Sequence, residues 1–443
     1  MINQMEFPDI FSKPLTAIFS KENTSSDGGL IFMKQINDSL RITKSISDAI
    51  HDQRDENHIK HELENMIHQR LYQVTAGYED VNDSDYLKND PVFKLLCKDS
   101  QYRKKTDVLA STPTICRLEN SVTIKELHQM AENMIHLYLK RNSKRFKKQK
   151  KLQITIDLDP TNITTYGNQQ LSLFNGYYGE TCYLPLIIAD GDNGDIITSI
   201  LKPGTKHATF LLIPILKRLF GVIEKKYPKV KFVIRADSGF QNANLFKYFE
   251  DRNNIIYRIA LISNENLIKA VKEEIKKAEC LYAERKETVL VFGELGYKAE
   301  SWNKFRRVIF RIEVNSHQTD VRFVVTNDFE STPEEIKEDY NKRSDTENII
   351  KEFKVQSFGE RLSCERFQAN FFRLIISLCS LILFQELKKK LVKTELAKSY
   401  VSTIREKILK IAVTVKITVR KIWFYLPKSY PYQNIWAKAL CHT

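Results

Sequence analysis

Residues 340–354 read YNKRSDTENIIKEFK, a charged stretch that also contains three large apolar residues in its second half. If the stretch is an α-helix, four side chains fall within a sector of roughly 60°: Tyr340, Arg343, Glu347 and Lys354. Three apolar side chains fall on a different sector and would anchor the helix to a core: Ile349, Ile350 and Phe353. The polar stripe has two interpretations. It is either a solvated face with ordinary charge pairs, or a carboxylate held between cations for a chemical purpose.

The composition describes a basic globular protein. Of the 443 residues, 42% are hydrophobic and 28% are charged, which is typical of a folded chain with a sizeable core. The 69 Lys and Arg residues outnumber the 55 Asp and Glu residues, so the formal net charge is +14. A polyanion such as nucleic acid is the first candidate partner. Seven cysteines without a C-x-x-C pair indicate a reducing compartment, and they argue against a disulfide scaffold or a zinc knuckle.

Two segments bear on location. The first 14 residues, MINQMEFPDIFSKP, lack the basic and apolar regions of a signal peptide. The stretch FFRLIISLCSLILF (371–384) is too short for a bilayer span and carries Arg373, which predicts a buried core helix. We therefore expect no membrane partner and a cytoplasmic protein.

The first 145 residues are predicted to be mostly helical, and a basic run follows at their end. Residues 140–151, KRNSKRFKKQKK, contain eight basic residues and no acid. Such a run is either a solvated linker or a phosphate-binding segment. On the second interpretation the candidate DNA contacts are Lys144, Arg145, Lys147 and Lys148.

From residue 152 the apolar pattern changes to a period of two, which predicts β-strands. LQITIDLD is the first strand, and TCYLPLIIAD and DIITSILK follow as a hairpin joined by the turn GDNG. Helices then alternate with the strands KFVIRAD and IIYRIAL. This order predicts an α/β protein with a mixed sheet and helices packed on it.

Three carboxylates suggest a metal site. Asp159, with Asp157 two residues earlier, lies near the end of the first strand, and Asp237 ends a later one. Strand-end acids often only cap turns, but such edges are also where α/β folds bind ligands. If Glu347 joins them, the three acids need cations between them. Two Mg²⁺ ions on such ligands activate an attacking oxygen and stabilise the leaving oxygen at phosphorus.

The pattern Y-x2-R-x3-E-x6-K of residues 340–354 resembles the signature of a large group of DDE transposases from bacterial insertion sequences. Further blocks resemble the surroundings of the first two acids in that group: DLDPT (157–161), NGYYGETCYLPL (175–186), LKPG (201–204) and RADSGF (235–240). Two N-terminal blocks resemble one branch of the group: GYEDVNDSDYLKNDPVF (77–93) and LASTPTICRLEN (109–120). The similarity covers almost the whole chain.

The resemblance implies an RNase H-like core, an α/β fold with a mixed sheet, flanking helices and a β-rich insertion before the last catalytic helix. The expected division is a helical DNA-binding and dimerisation region (1–145), the first part of the core (146–264), the β-rich insertion (265–332), and the last part of the core with a C-terminal helix and strands (333–443). It also implies double-stranded DNA as partner, a homodimer that holds two transposon ends together, and a nucleoid-associated location. The implied chemistry is hydrolysis at terminal inverted repeats and strand transfer into target DNA, with two Mg²⁺ or Mn²⁺ ions per active site.

The resemblance also implies roles for individual residues. Asp159, Asp237 and Glu347 would be the catalytic, metal-binding acids, and the DNA contacts near the transposon end would be Tyr340, Arg343, Lys351 and Lys354. Asp159 is favoured as first acid because it stands two residues before Thr161, as in the group. Asp157 is the alternative first acid. Arg235 either binds phosphate, as a further DNA contact, or pairs with a neighbouring carboxylate.

Three other functions remain open at this point. A related metal-dependent nuclease would cut DNA without joining it, and the same acids would serve both reactions. A DNA-binding regulator derived from a transposase would have lost catalysis, although all the signature residues are present. An unrelated basic enzyme acting on RNA would require that the signature match is a coincidence.

Overall fold

The structure is a computed structural model that describes residues 4–7, 15–18, 22–97 and 108–441. Most of the first 14 residues, from which the absence of a signal peptide is predicted, lie outside this part. The described N-terminal segments contain three short strands: β1 (Gln4–Phe7), β2 (Leu15–Ile18) and β3 (Thr24–Ser25). β1 and β2 pair with each other in an antiparallel two-stranded sheet.

Helices dominate the N-terminal region, as the sequence predicts. They are α1 (Leu30–Leu40), α2 (Ile42–Ser47), α3 (Leu63–Ala76), α4 (Asp83–Leu87), α5 (Pro91–Cys97), α6 (Thr112–Ser121), α7 (Ile124–Arg141) and α8 (Ser143–Lys148). α7 begins with a capping box, in which the Thr123 hydroxyl accepts from the Glu126 amide and the Glu126 carboxylate accepts from the Thr123 amide. α3 ends at Gly77, whose φ of +96° suits glycine.

The middle of the chain alternates strands and helices. The strands are β4 (Gln153–Pro160), β5 (Ile163–Thr164), β6 (Leu173–Asn175), β7 (Glu180–Tyr183), β8 (Leu186–Asp190), β9 (Ile196–Ile200), β10 (Lys231–Ala236), β11 (Ile255–Leu261), β12 (Val289–Tyr297), β13 (Arg306–Val314) and β14 (Thr319–Thr326). The helices between them are α9 (Leu212–Lys226), α10 (Ala243–Glu250), α11 (Glu265–Ala270) and α12 (Lys272–Arg285). The predicted hairpin around GDNG is confirmed as the antiparallel pair β8–β9.

Eight strands form one mixed sheet in the order β12-β13-β14-β11-β10-β4-β8-β9. β4, β10 and β11 run parallel, and the other neighbouring pairs are antiparallel. The prediction of a mixed sheet with packed helices is therefore confirmed. β5, β6 and β7 form a separate three-stranded sheet in the order β5-β7-β6.

The segment predicted to be a β-rich insertion contributes its strands to the main sheet. β14 pairs with β11 from Arg258 opposite Thr326 to Leu261 opposite Phe323, and β13 and β12 continue the sheet outward. The reason is that β11 would otherwise be an edge strand with unpaired backbone groups, which β14 satisfies. The insertion thus lengthens the sheet on the side away from β9.

The last part of the chain supplies helices and a small sheet. Its elements are α13 (Pro333–Asn341), α14 (Arg343–Lys351), a π-helical turn (Glu352–Gln356), α15 (Phe367–Lys390), α16 (Val401–Ile404), a second π-helical turn (Arg405–Leu409), β15 (Val413–Ile417), β16 (Ile422–Tyr425) and α17 (Gln433–Cys441). β15 pairs with β16 and with β3, so the C-terminal strands bind back to the N-terminal region.

α15 lies at the centre of the larger hydrophobic core. It packs against α1, α3, α6 and α7, and this core also includes apolar side chains of β8 and β9. A second core covers the other side of the sheet with α9, α10 and α12. In the described part of the chain, α15 alone is long and apolar enough to cross a membrane, and 94% of its most apolar window is buried inside the protein. The helix extends beyond the stretch 371–384, so the prediction that the stretch is too short for a bilayer span does not hold for α15, but its burial agrees with the predicted core helix.

A buried ion group joins α15 to the N-terminal helices. The Glu119 carboxylate on α6 accepts from Arg70 Nε on α3 and from Arg373 Nε on α15, both at 2.8 Å. The side chain of Glu119 is 1% exposed, and those of Arg70 and Arg373 are 3% and 10% exposed. One carboxylate therefore neutralises two cations that water hardly reaches.

Replacement of Glu119 by Ala is expected to destabilise the protein by about 3–5 kcal/mol, because it leaves two buried cations without a counter-charge. Glu119→Gln keeps hydrogen-bonding capacity and should lie between that variant and wild type. Urea denaturation followed by circular dichroism measures the effect. Asp38→Ala, which removes a surface pair with Lys34, should cost at most about 1 kcal/mol. Equal losses for Glu119→Ala and Asp38→Ala would contradict the assignment.

Candidate active site

Two acids meet where parallel strands end. In the register of β4 and β10, Asp157 lies opposite Arg235 and Leu158 lies opposite Ala236. The next residues along the two strands are Asp159 and Asp237, so both carboxylates emerge at the same edge of the sheet. Asp237 starts a 3₁₀ turn, and its Oδ1 accepts from the Gly239 amide at 2.9 Å.

The third acid comes from a helix that packs across this edge. Glu347 lies on α14, with its side chain 49% exposed, and accepts from Arg343 Nη2 at 2.7 Å. Arg343 Nη1 donates to Asp159 Oδ2 at 3.2 Å. One guanidinium group therefore bridges the first and third acids, and the structure brings all three predicted acids to one place.

The stretch 340–354 is not one continuous α-helix, so the prediction that its four polar residues lie in one sector of a single helix is wrong. α13 ends at Asn341, α14 begins at Arg343, and the π-helical turn starts at Glu352. A rotation of about 100° per residue therefore does not hold across the whole stretch, because a π turn adds a residue to the repeat. Tyr340, Arg343, Glu347 and Lys354 nevertheless lie at the same end of the sheet, because tertiary contacts hold them there.

Those contacts hold both ends of the stretch against the sheet edge. The Tyr340 hydroxyl donates to the Ala236 carbonyl at 3.3 Å, one residue before Asp237. Lys354 Nζ donates to the Asn162 carbonyl at 2.9 Å, just beyond β4. The predicted apolar anchors face inward: Phe353 is fully buried, Ile350 is 6% exposed and Ile349 is half-buried.

Asp157, the alternative first acid, lies in a buried ion pair instead. Its carboxylate accepts from Arg235 Nε at 2.6 Å, from Arg235 Nη2 at 2.8 Å and from the Thr346 hydroxyl at 2.6 Å. Arg235 also donates to the Asp339 carbonyl at 2.6 Å and the Gly191 carbonyl at 3.0 Å, and both ion-pair residues are fully buried. Of the two alternatives for Arg235, the structure shows the pair with a neighbouring carboxylate, and the enclosed, saturated guanidinium group has no donor left for a DNA phosphate.

Burial and crowding of like charges perturb the acids. Burial raises the pKa of Asp159 from 3.8 to about 7; the Arg343 charge opposes this, while Asp237 and Glu347 add to it. Burial also raises the pKa of Asp237, again opposed by Arg343. The three acids thus lie within electrostatic reach of one another, in an environment that disfavours their unneutralised charge.

The donor chemistry of the site fits a hard divalent cation. Three carboxylates supply oxygen ligands, and the raised pKa values of Asp159 and Asp237 show that their buried charge is disfavoured unless a cation compensates it. Among the described residues no three metal-ligating side chains are close enough together to hold an ion. The Arg343 guanidinium lies between Asp159 and Glu347 and supplies the positive charge in this arrangement.

The basic DNA contacts predicted on α8 lie away from the acids, whereas Lys351 lies close to them. α8 precedes β4, and Gln153 at the start of β4 is about 20 Å along the strand from Asp159. Three predicted contacts on α8 are exposed: Lys144, Lys147 and Lys148. Arg145 instead forms an ion pair with the buried Asp190. Lys351 is exposed on α14, next to the acids.

Two residues near the acids were not singled out from sequence. Burial, together with the Asp237 charge, raises the pKa of Tyr178 to about 12, which places its hydroxyl close to the acids. His207 lies close enough to lower the pKa of Asp237. Tyr178 belongs to the block NGYYGE, which resembles a transposase block, but neither periodicity nor spacing indicated its position.

Asp159 and Asp237 lie at the carboxyl ends of two parallel strands, and Arg343 and Glu347 reach them from α14. This is the end of an α/β sheet at which such proteins bind ligands and carry out catalysis. The model of the family described as "Transposase DDE domain group 1" matches residues 7–442. The chain belongs to this family of DDE transposases and is a DNA transposase, an enzyme that acts on DNA.

Two further comparisons accompany the family match. No curated protein matches the chain. Among solved structures, the chain is similar to a piggyBac transposase in a synaptic complex with hairpin DNA, with 12% identity and a TM-score of 0.43. The match covers 88% of this chain and 82% of the other. A likeness at that score does not establish a common fold, so the assignment rests on the family match.

The two aspartates of β4 should respond oppositely to removal. Asp157→Ala leaves the buried Arg235 without a partner and is expected to lower the free energy of unfolding by about 3–5 kcal/mol. Asp159→Ala removes a carboxylate whose charge is disfavoured and should leave stability equal or higher. Urea denaturation at neutral pH in EDTA distinguishes them. A larger loss for Asp159→Ala would mean that the two roles are exchanged.

The raised pKa of Asp159 predicts a pH dependence of metal-free stability. Between pH 4 and about 7 the folded protein holds a proton on Asp159 that the unfolded chain has already released. Because the folded state binds one proton more than the unfolded state, the free energy of unfolding falls as the pH rises through this window. We expect Asp159→Asn to lose this slope, measured as the difference from wild type in EDTA. Parallel pH profiles for the two proteins would contradict it.

Proposed function

We propose that this transposase hydrolyses DNA at the terminal inverted repeats of its element and then joins the ends to target DNA, with Mg²⁺ or Mn²⁺ as cofactor. The observation that carries the proposal is the convergence of Asp159, Asp237 and Glu347 around Arg343, in a chain of the DDE transposase family. Asp159 is proposed as the first acid, because Asp157 is saturated by Arg235 and Thr346.

The strand order supports an RNase H-like core. Without β12, β13 and β14, the sheet reads β9-β8-β4-β10-β11, with the first three strands antiparallel and the last three parallel. We propose that these five strands are that core and that α14 is its last catalytic helix. Strands β12–β14 are the insertion between the second and third acids.

The three acids would hold two divalent ions, which activate the attacking oxygen and stabilise the leaving oxygen. Arg343 neutralises Asp159 and Glu347 in the metal-free protein, so it is free to bind a DNA phosphate once metal supplies that charge. Lys354 and Lys351 approach from the same helical segment and would bind neighbouring phosphates. The Tyr340 hydroxyl positions the end of β10 through the Ala236 carbonyl, and thereby Asp237.

A lysine cluster at the opposite edge of the sheet would hold a more distant part of the DNA backbone. Two segments converge there around the Phe146–Tyr227 ring contact. The exposed lysines of this cluster are Lys147, Lys150, Lys151, Lys226, Lys229 and Lys231. Exposed lysines from separate parts of the chain, gathered in one cleft without an acidic side chain, suit a polyanion. With Lys144 and Lys148 they form the proposed contact surface.

We propose a homodimer in the DNA complex, because the reaction brings two transposon ends together. The helical N-terminal region would bind the inverted repeats. A nucleoid-associated protein in the cytoplasm is the corresponding location.

The decisive experiment is a cleavage and strand-transfer assay on DNA with the flanking ends of the element that encodes this chain. It compares wild type in Mg²⁺, wild type in EDTA, and Glu347→Gln in Mg²⁺. We expect cutting and joining by wild type with metal, and a loss in Glu347→Gln larger than the roughly 100-fold that removal of an outer-sphere partner costs. Binding without cleavage in any divalent ion would favour a DNA-binding regulator, and cutting without joining would favour a nuclease.

The lysine cluster is tested by the salt dependence of DNA binding. The double variant Lys147→Gln/Lys148→Gln removes two proposed phosphate contacts, so the slope of log K against log[salt] should fall by about 1.8 in magnitude. The slope is measured by fluorescence anisotropy with a labelled transposon end, at salt concentrations between about 50 and about 200 mM. The matched control is Lys276→Gln/Lys277→Gln on α12, which also removes two exposed charges. Identical slopes in the two double variants would contradict the proposal that the lysine cluster binds DNA.

A further inference from the structure

The small sheet of β5, β6 and β7 continues the main sheet beyond the acids. β4 and β8 pair as far as Pro160 opposite Leu186, and β5 and β7 resume the pairing at Ile163 opposite Tyr183. Asp159 lies just before this extension. The small sheet therefore begins next to the candidate active site.

The small sheet exposes an unusual number of aromatic rings. Tyr177 is 89% exposed in the turn between β6 and β7, and Tyr178 next to it is partly exposed. Their rings contact edge to face, with centroids 4.9 Å apart. Tyr166 after β5 and Phe174 on β6 are exposed as well. Single exposed rings are ordinary, whereas a group of them indicates an interaction surface.

The turn that carries the two tyrosines is held firmly. Asn175 Oδ1 accepts from the amides of Tyr177 and Tyr178 at 3.0 and 3.2 Å, and Asn175 Nδ2 donates to the Gly204 carbonyl at 2.6 Å. The Gly179 amide donates to the Asn175 carbonyl, at a φ of +69° that suits glycine. The backbone of the turn is thus held in one conformation, so a ligand that stacks on the rings does not have to order the chain that carries them.

Positive charge lies on the supporting loop. Gly204 packs against the backbone of Leu171, and Lys206 and His207 follow it in the same loop. His207 and Tyr178 both lie within electrostatic reach of Asp237. One aromatic ring and a histidine therefore lie near Asp237 on this side, and Lys206 is next to that histidine in the chain. Rings beside cations match the two parts of a nucleotide, its base and its phosphate.

We propose that Tyr177 and Tyr178 form a stacking platform for an unpaired base of the DNA that lies at the acids. Stacking on an aromatic ring is available to every base, because each has a π face, so the platform binds opened DNA irrespective of sequence. It favours separation of the strands next to the scissile phosphate. The proposal rests on the proposed function in taking DNA as the ligand, and it adds the state of the DNA that this surface selects.

The test is an equilibrium binding experiment in EDTA, so it does not depend on cleavage. The affinity of wild type is measured for a duplex with three unpaired bases at one end and for the fully paired duplex of the same length. We expect preference for the unpaired end by about tenfold, in keeping with the energy of base stacking on a protein ring. In Tyr177→Ala the preference should fall to near one, while Tyr177→Phe and Tyr177→Trp should retain it.

Tyr86→Ala is the matched control, because it removes another highly exposed tyrosine from α4, outside the small sheet. It should keep the preference. 2-Aminopurine in place of one unpaired base gives a second readout, since its fluorescence is quenched by stacking in wild type and restored in Tyr177→Ala. Thermal melts of all variants should coincide, because Tyr177 packs against little.

Equal affinity of wild type for both duplexes, or an unchanged preference in Tyr177→Ala, would overturn the platform. Analytical ultracentrifugation without DNA covers the other occupant: a dimer that dissociates only in Tyr177→Ala would make this surface a contact between two copies of the chain. Failure of the cleavage assay would leave these binding results standing, so the two proposals fail separately.

Discussion

The buried pair of Asp157 and Arg235 is the constraint on which the site depends. It joins β4 to β10, and through the Thr346 hydroxyl and the Asp339 carbonyl it also fixes α14 and the end of α13. A buried ion pair is tolerated only when its remaining hydrogen-bonding groups are satisfied, and this one meets that condition closely. The acids two residues further along each strand take their positions from it. The alternative first acid thus serves the site by holding its scaffold together.

Arg343 gives the site a second state. Three acids that share one sheet edge are unstable without positive charge, and in the metal-free protein a side chain from the signature stretch provides it. The same guanidinium group is suited to phosphate. Under the proposed function, binding of metal and binding of DNA are therefore coupled, because the cation that stabilises the empty acids becomes available as the metal takes its place.

The two ends of the parallel strands carry opposite charge. The acids and the exposed tyrosines lie at the carboxyl ends, and the lysine cluster lies at the amino ends, about 20 Å away along the strand. Under the proposed function, a DNA duplex that reaches the acids would extend along the protein to the lysine cluster. α15 connects the N-terminal helices to the sheet, because it is buried between them and because the Arg70–Glu119–Arg373 group links it to α3 and α6.

The sequence by itself determined the α/β class, the alternation of β4, the hairpin of β8 and β9 and the core helix α15, because local periodicity records these features directly. The three acids were expected from the resemblance of the signature stretch and the strand-end blocks to a transposase family. It left Asp157 and Asp159 as alternatives, and it left open whether Arg235 binds phosphate. Only the tertiary structure shows that Asp157 and Arg235 pair with each other, which supports Asp159 as the proposed first acid, since burial and partners depend on which strands are neighbours. The same holds for the break between α13 and α14, for the joining of β12–β14 to the main sheet, and for the position of Tyr177 and Tyr178 beside the acids. Each of these results from contacts between residues far apart in the chain, on which a local pattern carries no information.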